Sequence, residues 1–325
     1  MSQETVPTMT ANSQTGFAKP TKRQRLLRNI AKSWQIYVLL ALPVIYVFIF
    51  SYMPMYGVQI AFRNFSPVRG FWGSDWVGLM HFRNFFNSFF WGRLVRNTLL
   101  LNFYSLVWAF PIPVFLALLL HQLGSQKFRK TVQTIIYMPN FISVVVIVGM
   151  LFVFLSPTTG IVNIAIQALG GSPIVFMNRA EWFRTIFIAS SVWQGAGFGT
   201  IIYFATLSGI NVELYEAATV DGALKRHKIW HIDIPHLIPL IGLFVLKNVG
   251  TMLASETQRT LLMQTAGNMA ASDTLGPFIF RMGIVEGQHS YTTAINLMLN
   301  VVNMIFLVIA NKVAQKTGEG QSSLW

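Results

Sequence analysis

The 325-residue sequence contains no cysteine and only 11 acidic residues. The absence of cysteine excludes a disulfide framework, a thiolate metal site and a cysteine nucleophile. Charged residues of both signs make up 11% of the chain, whereas they make up about a quarter of an ordinary soluble domain. Hydrophobic residues make up 53%, and the mean hydropathy is +0.52. This composition predicts a polytopic membrane protein.

Long apolar runs are the main feature of the sequence, and a helix that crosses a bilayer needs about 20 such residues. Backbone groups in lipid must be paired within the segment, so six such windows predict an all-α protein with six transmembrane helices. The windows are Trp34–Tyr52, Asn97–Leu120, Thr131–Leu155, Thr185–Ile210, Leu237–Ser255 and Ser290–Asn311. We expect a six-helix membrane domain over residues 34–311, between a basic tail, 1–33, and a C-terminal tail, 312–325.

The net charge of +13 arises from 24 lysines and arginines. In a soluble protein it would raise the question of nucleic-acid binding. Here the basic residues flank apolar spans, so we expect the membrane surface as their partner and no nucleic acid. Most of them lie in segments on the same side as the N-terminus, which predicts that both termini are cytoplasmic.

Residues 211–239, between spans four and five, hold the densest group of charges. Acidic and apolar residues are interleaved up to Val220, which predicts a short amphipathic helix that Asn211 caps and Gly222 ends. A second short helix is expected over residues 223–232. Such a pair of helices docks on another protein or lies on the bilayer surface, and the physical pattern leaves both open.

The sequence shows no sign of a catalytic or metal centre. The pattern GxxxxGK[ST], which binds phosphates in many ATPases, does not occur, so we do not expect the chain to hydrolyse ATP itself. His227, His231 and His236 are spaced by four and five residues, and we do not interpret them as a metal site. A membrane enzyme such as a glycosyltransferase would need clustered carboxylates, which the loops lack.

The stretch EAATVDGALKRHKIWHIDIP resembles the EAA loop of permease subunits of ABC importers. Ile229 and Ile234 depart from the family, which often has phenylalanine and leucine there, but both remain apolar. The residues that match the family pattern, at its spacing, are Glu216, Ala217, Ala218, Asp221, Gly222, Ala223, Ile232 and Pro235.

This resemblance implies a type I importer permease whose EAA loop, residues 211–239, couples transport to ATP hydrolysis by separate subunits. The residues implied in coupling are Glu213, Leu214, Tyr215, Glu216, Ala217, Ala218, Asp221, Gly222 and Ala223. The implied partners are two ATP-binding subunits that carry ATP and Mg, a second and different permease, and an extracytoplasmic solute-binding protein. No cofactor is implied for this chain, which would lie in the bacterial cytoplasmic membrane.

Other stretches are similar to the carbohydrate branch of that family, among them YMPMYGVQIAFRNF and RKTVQTIIYMPNFISVVVIVGM. Within the branch the sequence is most similar to permeases for oligo- and polysaccharides, including the acidic polysaccharide alginate. The expected function is therefore import of a saccharide. An ion-coupled secondary carrier is the alternative, but it would typically show buried acids and inverted repeats, which we do not see.

Polar residues within the spans are candidates for the substrate path. Amides offer both a donor and an acceptor to sugar hydroxyls, although they also serve hydrogen bonds between helices. Trp193 and Gln194 would form an aromatic platform beside an amide, and ionisable groups at depth are functional candidates. The candidates are Asn140, Trp193, Gln194, Lys247, Asn248, Glu256, Asn296, Asn300 and Asn303. The glycines of span four allow either helix bending or close packing.

Overall fold

The computed structural model describes residues 32–254 and 256–317, which are almost entirely helical. The α-helices are α1 (Trp34–Val47), α2 (Gly70–Gly73), α3 (Met80–Phe86), α4 (Trp91–Ala109), α5 (Pro111–His121), α6 (Gln126–Tyr137), α7 (Val144–Phe154), α8 (Ile161–Ala168), α9 (Ala180–Ser208), α10 (Val212–Val220), α11 (Lys225–Lys228), α12 (Ile234–Val249), α13 (Thr257–Met263), α14 (Met269–Ser272), α15 (Leu275–Phe280) and α16 (His289–Thr317). All but two residues of the predicted N-terminal tail, and the end of the C-terminal tail, lie outside these ranges.

Short helical turns follow or connect several of these helices. The α-helical turn Met53–Met55, the 3-10 turns Tyr56–Phe62, Met138–Phe141 and Phe176–Asn178, and the π turns Phe48–Tyr52, Ile229–Asp233 and Arg281–Val285 are of this kind. Two short strands, β1 (Arg63–Asn64) and β2 (Asp75–Trp76), pair antiparallel.

The chain divides into two compact units, residues 1–58 and 59–325. The first unit contains α1 and the helical turns that follow it, where the rings of Tyr46 and Phe50 lie 4.8 Å apart. The second unit contains the other five predicted spans and the EAA loop.

Within the described ranges, five helices are long and apolar enough to cross a membrane. A bent pair, Gln126–Phe141 and Val144–Phe154, brings the number to six if it counts as one span. The five helices are Trp34–Phe62, Trp91–His121, Ala180–Ser208, Lys225–Val249 and His289–Lys316. The predicted all-α membrane architecture is confirmed, and span three is bent by 95°.

The bend in span three has a local cause. Pro139 has no N–H to continue the helical ladder, and the chain passes through a 3-10 turn before Ile142 becomes extended. A new helix then begins at Ser143, whose hydroxyl accepts a hydrogen bond of 3.3 Å from the backbone N–H of Val146. The carbonyl freed at Ile142 accepts a hydrogen bond of 2.7 Å from the amide of Gln194.

Helix α9 is the central element of the second unit. Its Phe183 and Phe187 belong to one buried cluster with Phe176 and Met263, and its Leu207 belongs to another with Leu237. A methyl group at Gly197 would lie 1.8 Å from the carbonyl oxygen of Ile136 in α6, whereas one at Gly195 would meet nothing within 4 Å. Close packing is therefore the role of Gly197.

Candidate functional site

Helix α10 carries most of the EAA loop, and its start is the one the sequence predicts. Asn211 is extended, and its side-chain oxygen accepts a hydrogen bond of 3.1 Å from the backbone N–H of Glu213. Its side-chain amide also donates to the Glu213 carboxylate across 3.0 Å. Asn211 therefore fixes the first turn of α10, and the Glu213 carboxylate lies near the positive end of the helix.

The end of α10 is also the predicted one. Gly222 adopts a φ of +74°, which side chains with a Cβ rarely tolerate. The backbone N–H of Gly222 donates to Thr219 across 3.0 Å, and that of Ala223 donates to Ala218 across 2.8 Å. This pair of hydrogen bonds is a Schellman motif, which satisfies the last carbonyls of the helix and reverses the chain.

No residue of α10 is buried, although several of its side chains are apolar. Leu214 is 45% exposed and Val220 is 89% exposed, and the turn that follows leaves Leu224 57% exposed. Glu216 and Asp221, the acidic residues of the motif, are exposed as well. A short rigid helix with apolar and acidic groups facing outward is suited to docking on a partner protein.

Tyr215 and Asp233 connect α10 to the spans. The hydroxyl of half-buried Tyr215 donates to Asp233, and the other oxygen of that fully buried carboxylate accepts from Gln122 across 3.1 Å. Nε2 of His121 lies 3.1 Å from the Tyr215 hydroxyl. Burial, and then the hydrogen bond and negative charge of Asp233, raise the pKa of Tyr215 above its usual value. These contacts join α10 to the end of α5 and to the start of span five.

The second helix of the loop is not the short separate helix that the sequence predicts. Lys225 begins a run that continues through the π turn Ile229–Asp233 into span five, ending at Val249. Pro235 lies in the first turn of α12, and the wide turn before it absorbs the missing N–H without ending the helix. From Lys225 onward, the EAA loop therefore continues into span five as one helix.

A cavity of about 360 Å³ lies between α4, α5, α9 and α12, within the usual size range of ligand cavities. Its polar lining comes from Asn102, Ser105, Asn248 and Thr251, and its remaining walls are apolar and aromatic. Asn248 is the one predicted path residue that lines it. Asn102, which donates to the carbonyl of Met252 across 2.9 Å, is one that the prediction missed.

Gln194 and Glu256 meet through a residue that lies between predicted spans five and six. Arg259, which is 1% exposed, donates to Glu256 across 2.9 Å, to Ser190 across 3.1 Å, and to the side-chain oxygen of Gln194. Trp193 does not share this site, because neighbouring residues on a helix point about 100° apart. It is 49% exposed and lines a separate, almost wholly apolar cavity, so the two side chains do not form one platform.

Lys247 is exposed, and no ion pair of it occurs within residues 32–254 and 256–317. Glu256 does not continue the helix of Lys247, since α12 ends at Val249 and Glu256 precedes α13. Asn140 lies half-buried in the turn before the bend of span three.

The three asparagines of α16 differ in their surroundings. Asn296 and Asn300 are exposed. Asn303 is half-buried, and its side-chain oxygen accepts a hydrogen bond of 3.0 Å from the backbone N–H of Leu253. Asn303 therefore holds α16 against the end of span five, which is the packing role that the sequence left open.

The missed residues had weak signals in the sequence. Asn102 and Ser105 are three residues apart in an otherwise apolar part of span two, so they share one helix face. Arg259 lies three residues after Glu256, a spacing at which helical side chains meet. Neither pattern indicates burial, which depends on contacts with α9 and α12.

Comparison with known proteins places this geometry in a family. Residues 109–319 match the family described as binding-protein-dependent transport system inner membrane component. Protein LplB of Bacillus subtilis (strain 168) is 37% identical over 310 residues, which cover 95% of each chain. The polygalacturonan/rhamnogalacturonan transport system permease protein YteP of the same organism is 36% identical, over 93% of this chain and 94% of its own.

Two solved structures share the fold. The crystal structure of a bacterial ABC transporter involved in the import of the acidic polysaccharide alginate has a chain 35% identical to this one. The TM-score is 0.83, over 90% of this chain and 99% of that one. The crystal structure of a bacterial alginate ABC transporter in complex with alginate pentasaccharide-bound periplasmic protein has a chain 33% identical, with a TM-score of 0.84 over 92% and 100%.

The matched region includes the EAA loop, the end of span two and all of spans three to six, so the resemblance seen in the sequence is confirmed. The family consists of membrane components of transport systems rather than enzymes. This chain belongs to the family of binding-protein-dependent transport system inner membrane components, as a membrane-spanning permease.

Proposed function

We propose that this chain is the permease subunit of an ATP-driven importer of an acidic oligo- or polysaccharide in the bacterial cytoplasmic membrane. The observation that carries the proposal is the geometry of α10. It is capped by Asn211, ended by Gly222, exposed on its apolar and acidic groups, and tied through Tyr215 to the spans. A helix built this way delivers the movement of a docked motor to the membrane domain.

In this mechanism two ATP-binding subunits, which carry the ATP and Mg, hold α10 on the cytoplasmic side. Both termini of the chain lie on that side too. A solute-binding protein delivers the saccharide to the opposite face, and a second, different permease completes the path. Closure of the motor on ATP moves residues 213–223, and the contact of Tyr215 with Asp233 passes the movement to spans two and five. Hydrolysis then resets the inward-facing state.

The acidic class of the saccharide is supported by the names of two relatives. One is a permease for polygalacturonan and rhamnogalacturonan, and the other belongs to an importer of alginate. The proposed path passes the cavity lined by Asn102 and Asn248, whose amides suit sugar hydroxyls. The other polar candidates from the sequence extend this path; they are Asn140, Gln194, Lys247, Glu256, Asn296 and Asn300.

The test is the ATPase activity of the reconstituted complex, with its solute-binding protein and a panel of saccharides. We expect stimulation by galacturonate or mannuronate oligosaccharides and none by neutral glucose oligosaccharides of equal length. Stimulation by the neutral series alone would overturn the acidic substrate but keep the importer. Transport that proceeds without any ATP-binding subunit, driven by an ion gradient, would overturn the importer itself.

A further inference from the structure

A second cavity, of about 540 Å³, is lined by an unusual number of arginines for this chain. Arg93 and Arg96 lie in the first two turns of α4, and Arg184 lies in the second turn of α9. Glu181 is the acidic residue of the lining, so the cavity carries more positive than negative charge. No residue predicted for the substrate path lies there.

The positive charge of this cavity is only partly neutralised by carboxylates of the chain. The buried carboxylate of Asp273 accepts hydrogen bonds from Arg93 across 2.7 Å and from Arg281 across 3.2 Å. Arg96 and Arg184 form no ion pair with any carboxylate in the described part of the chain. The Nε atoms of Arg93 and Arg184 are buried there without a hydrogen-bond partner. Guanidinium groups that lack a carboxylate partner, as those of Arg96 and Arg184 do here, favour binding of an anion.

Asn97 holds the cavity in shape. It is 3% exposed, and its amide donates to the carbonyls of Ala270 across 2.9 Å and Asp273 across 3.1 Å. Its oxygen accepts the hydrogen bond of 3.1 Å from Arg184. Three segments of the chain are therefore fixed around one side chain, so the guanidinium of Arg184 is held in place before any ligand arrives. Such preorganisation reduces the entropic cost of binding.

The cavity continues into another of about 590 Å³, since Glu181 and Arg184 line both. Tyr104 and Trp108 contribute flat, exposed aromatic faces to the second cavity. Along α4, Arg96 and Trp108 are separated by about 18 Å, the length of several sugar rings. Charged groups at one end and aromatic rings along the wall match a chain of acidic sugars, which alternates carboxylates with apolar ring faces.

The arginines lie at the end of the bundle that is remote from α10. His121, which contacts Tyr215 of α10, closes the apolar helix that begins two residues before Arg93. The two ends of this helix are roughly 40 Å apart. In the proposed orientation the arginines therefore stand at the extracytoplasmic entrance.

We propose that Arg96 and Arg184 bind a carboxylate of the acidic saccharide at this entrance, and that the adjoining cavity of Tyr104 and Trp108 receives its sugar rings. The proposal rests on the proposed function for the acidic class of the substrate. It assigns to this chain a selectivity filter that acts before the saccharide reaches the cavity of Asn102 and Asn248.

The test uses the assembled complex in nanodiscs of neutral lipid, without the solute-binding protein. The probes are a galacturonate trisaccharide and its methyl ester, which has the same shape but no charge. We expect the complex to bind the acid roughly ten-fold more tightly than the ester, with added NaCl weakening only the acid. The paired substitution Arg96→Gln and Arg184→Gln should remove this preference, while Arg96→Lys and Arg184→Lys should keep part of it.

Arg83→Gln is the matched control, since Arg83 is exposed and lines neither cavity. An unchanged preference for the acid in the glutamine variant, or no binding of the acid by the unaltered complex, would overturn the proposal. A second assay adds the solute-binding protein and measures ATPase activity. If the glutamine variant loses this stimulation equally for acid and ester, while its preference for the acid in the binding assay is unchanged, the arginines dock that protein and the proposal is overturned. The saccharide panel of the preceding section is measured on the unaltered complex, so failure of the substrate class and failure of this site are distinguishable.

Discussion

The hydroxyl of Tyr215 in α10 donates a hydrogen bond of 2.5 Å to Oδ1 of Asp233, at the start of span five. The two residues are 18 positions apart and lie on opposite sides of the turn at Gly222. Asp233 is fully buried, and its two carboxylate oxygens accept hydrogen bonds from this hydroxyl and from the amide of Gln122. The contact joins α10 directly to the start of span five.

Replacement of Tyr215 by phenylalanine should therefore weaken both stability and coupling. The buried carboxylate of Asp233 loses a donor, which costs about 1–3 kcal/mol of unfolding free energy. Thermal unfolding in detergent measures this loss, and transported saccharide per ATP hydrolysed measures coupling. Tyr37→Phe is the control, since Tyr37 is an exposed tyrosine of α1 and lies outside α10 and span five.

The same contact predicts a pH dependence. The pKa of Tyr215 is raised in the folded protein, so the neutral phenol is favoured by folding. Its contribution is complete below the unfolded pKa of tyrosine, about 10, and is lost as the pH rises toward the folded value. The stability difference between the unaltered chain and Tyr215→Phe should be constant from about pH 7 to 9 and should shrink above about pH 10. A difference that stays constant up to about pH 11 would contradict the raised pKa.

Gly222→Pro should leave membrane insertion intact and uncouple transport from ATP hydrolysis. Proline fixes φ near −65°, whereas Gly222 has a φ of +74°, so the turn must rearrange and α10 loses its fixed direction. Gly222→Ala should show the same defect more weakly, since a left-handed alanine costs about 1–2 kcal/mol. Gly124→Ala, where a methyl group meets nothing within 4 Å and φ is not positive, is the control. Normal transport per ATP in Gly222→Pro would refute the proposed role of the turn.

The parts of this protein that follow from the sequence are those whose causes are local. The cap at Asn211 and the reversal at Gly222 depend on neighbours within five residues, and hydropathy alone marks the spans. The continuity of the EAA loop with span five did not follow, because two prolines normally suggest a break and a π turn absorbs the first. The burial of Arg259 did not follow either, since its partners Ser190 and Gln194 lie more than 60 residues earlier in the chain.

Arg259→Met should destabilise the chain by about 2–4 kcal/mol, because the buried hydroxyl of Ser190 and the half-buried amide oxygen of Gln194 lose the donor that Arg259 supplies. Arg69→Met is the control. It removes an arginine–carboxylate pair in which both side chains, Arg69 and Asp75, are largely exposed, whereas Arg259 is buried. An exposed pair contributes less than about 1 kcal/mol, so this control should unfold close to the unaltered chain. The unfolding temperatures of the two variants are measured in the same detergent. Equal decreases would show that the hydrogen bonds of Arg259 contribute no more to stability than an exposed ion pair does.

Two glycines of α9 give the sharpest test of the packing, because they lie two residues apart and differ only in their neighbours. A methyl group at Gly197 would lie 1.8 Å from the carbonyl oxygen of Ile136, so Gly197→Ala must push α9 away from α6. Overpacking of this kind costs about 1–3 kcal/mol. At Gly195 the space is open, and alanine should leave stability unchanged or raise it by up to about 1 kcal/mol through its helix propensity. The amount of folded protein after a graded heat step separates the two variants. If Gly195→Ala proved the more damaging, the close approach of α9 to the bent span would be wrong, and with it the contact that joins Gln194 to Ile142.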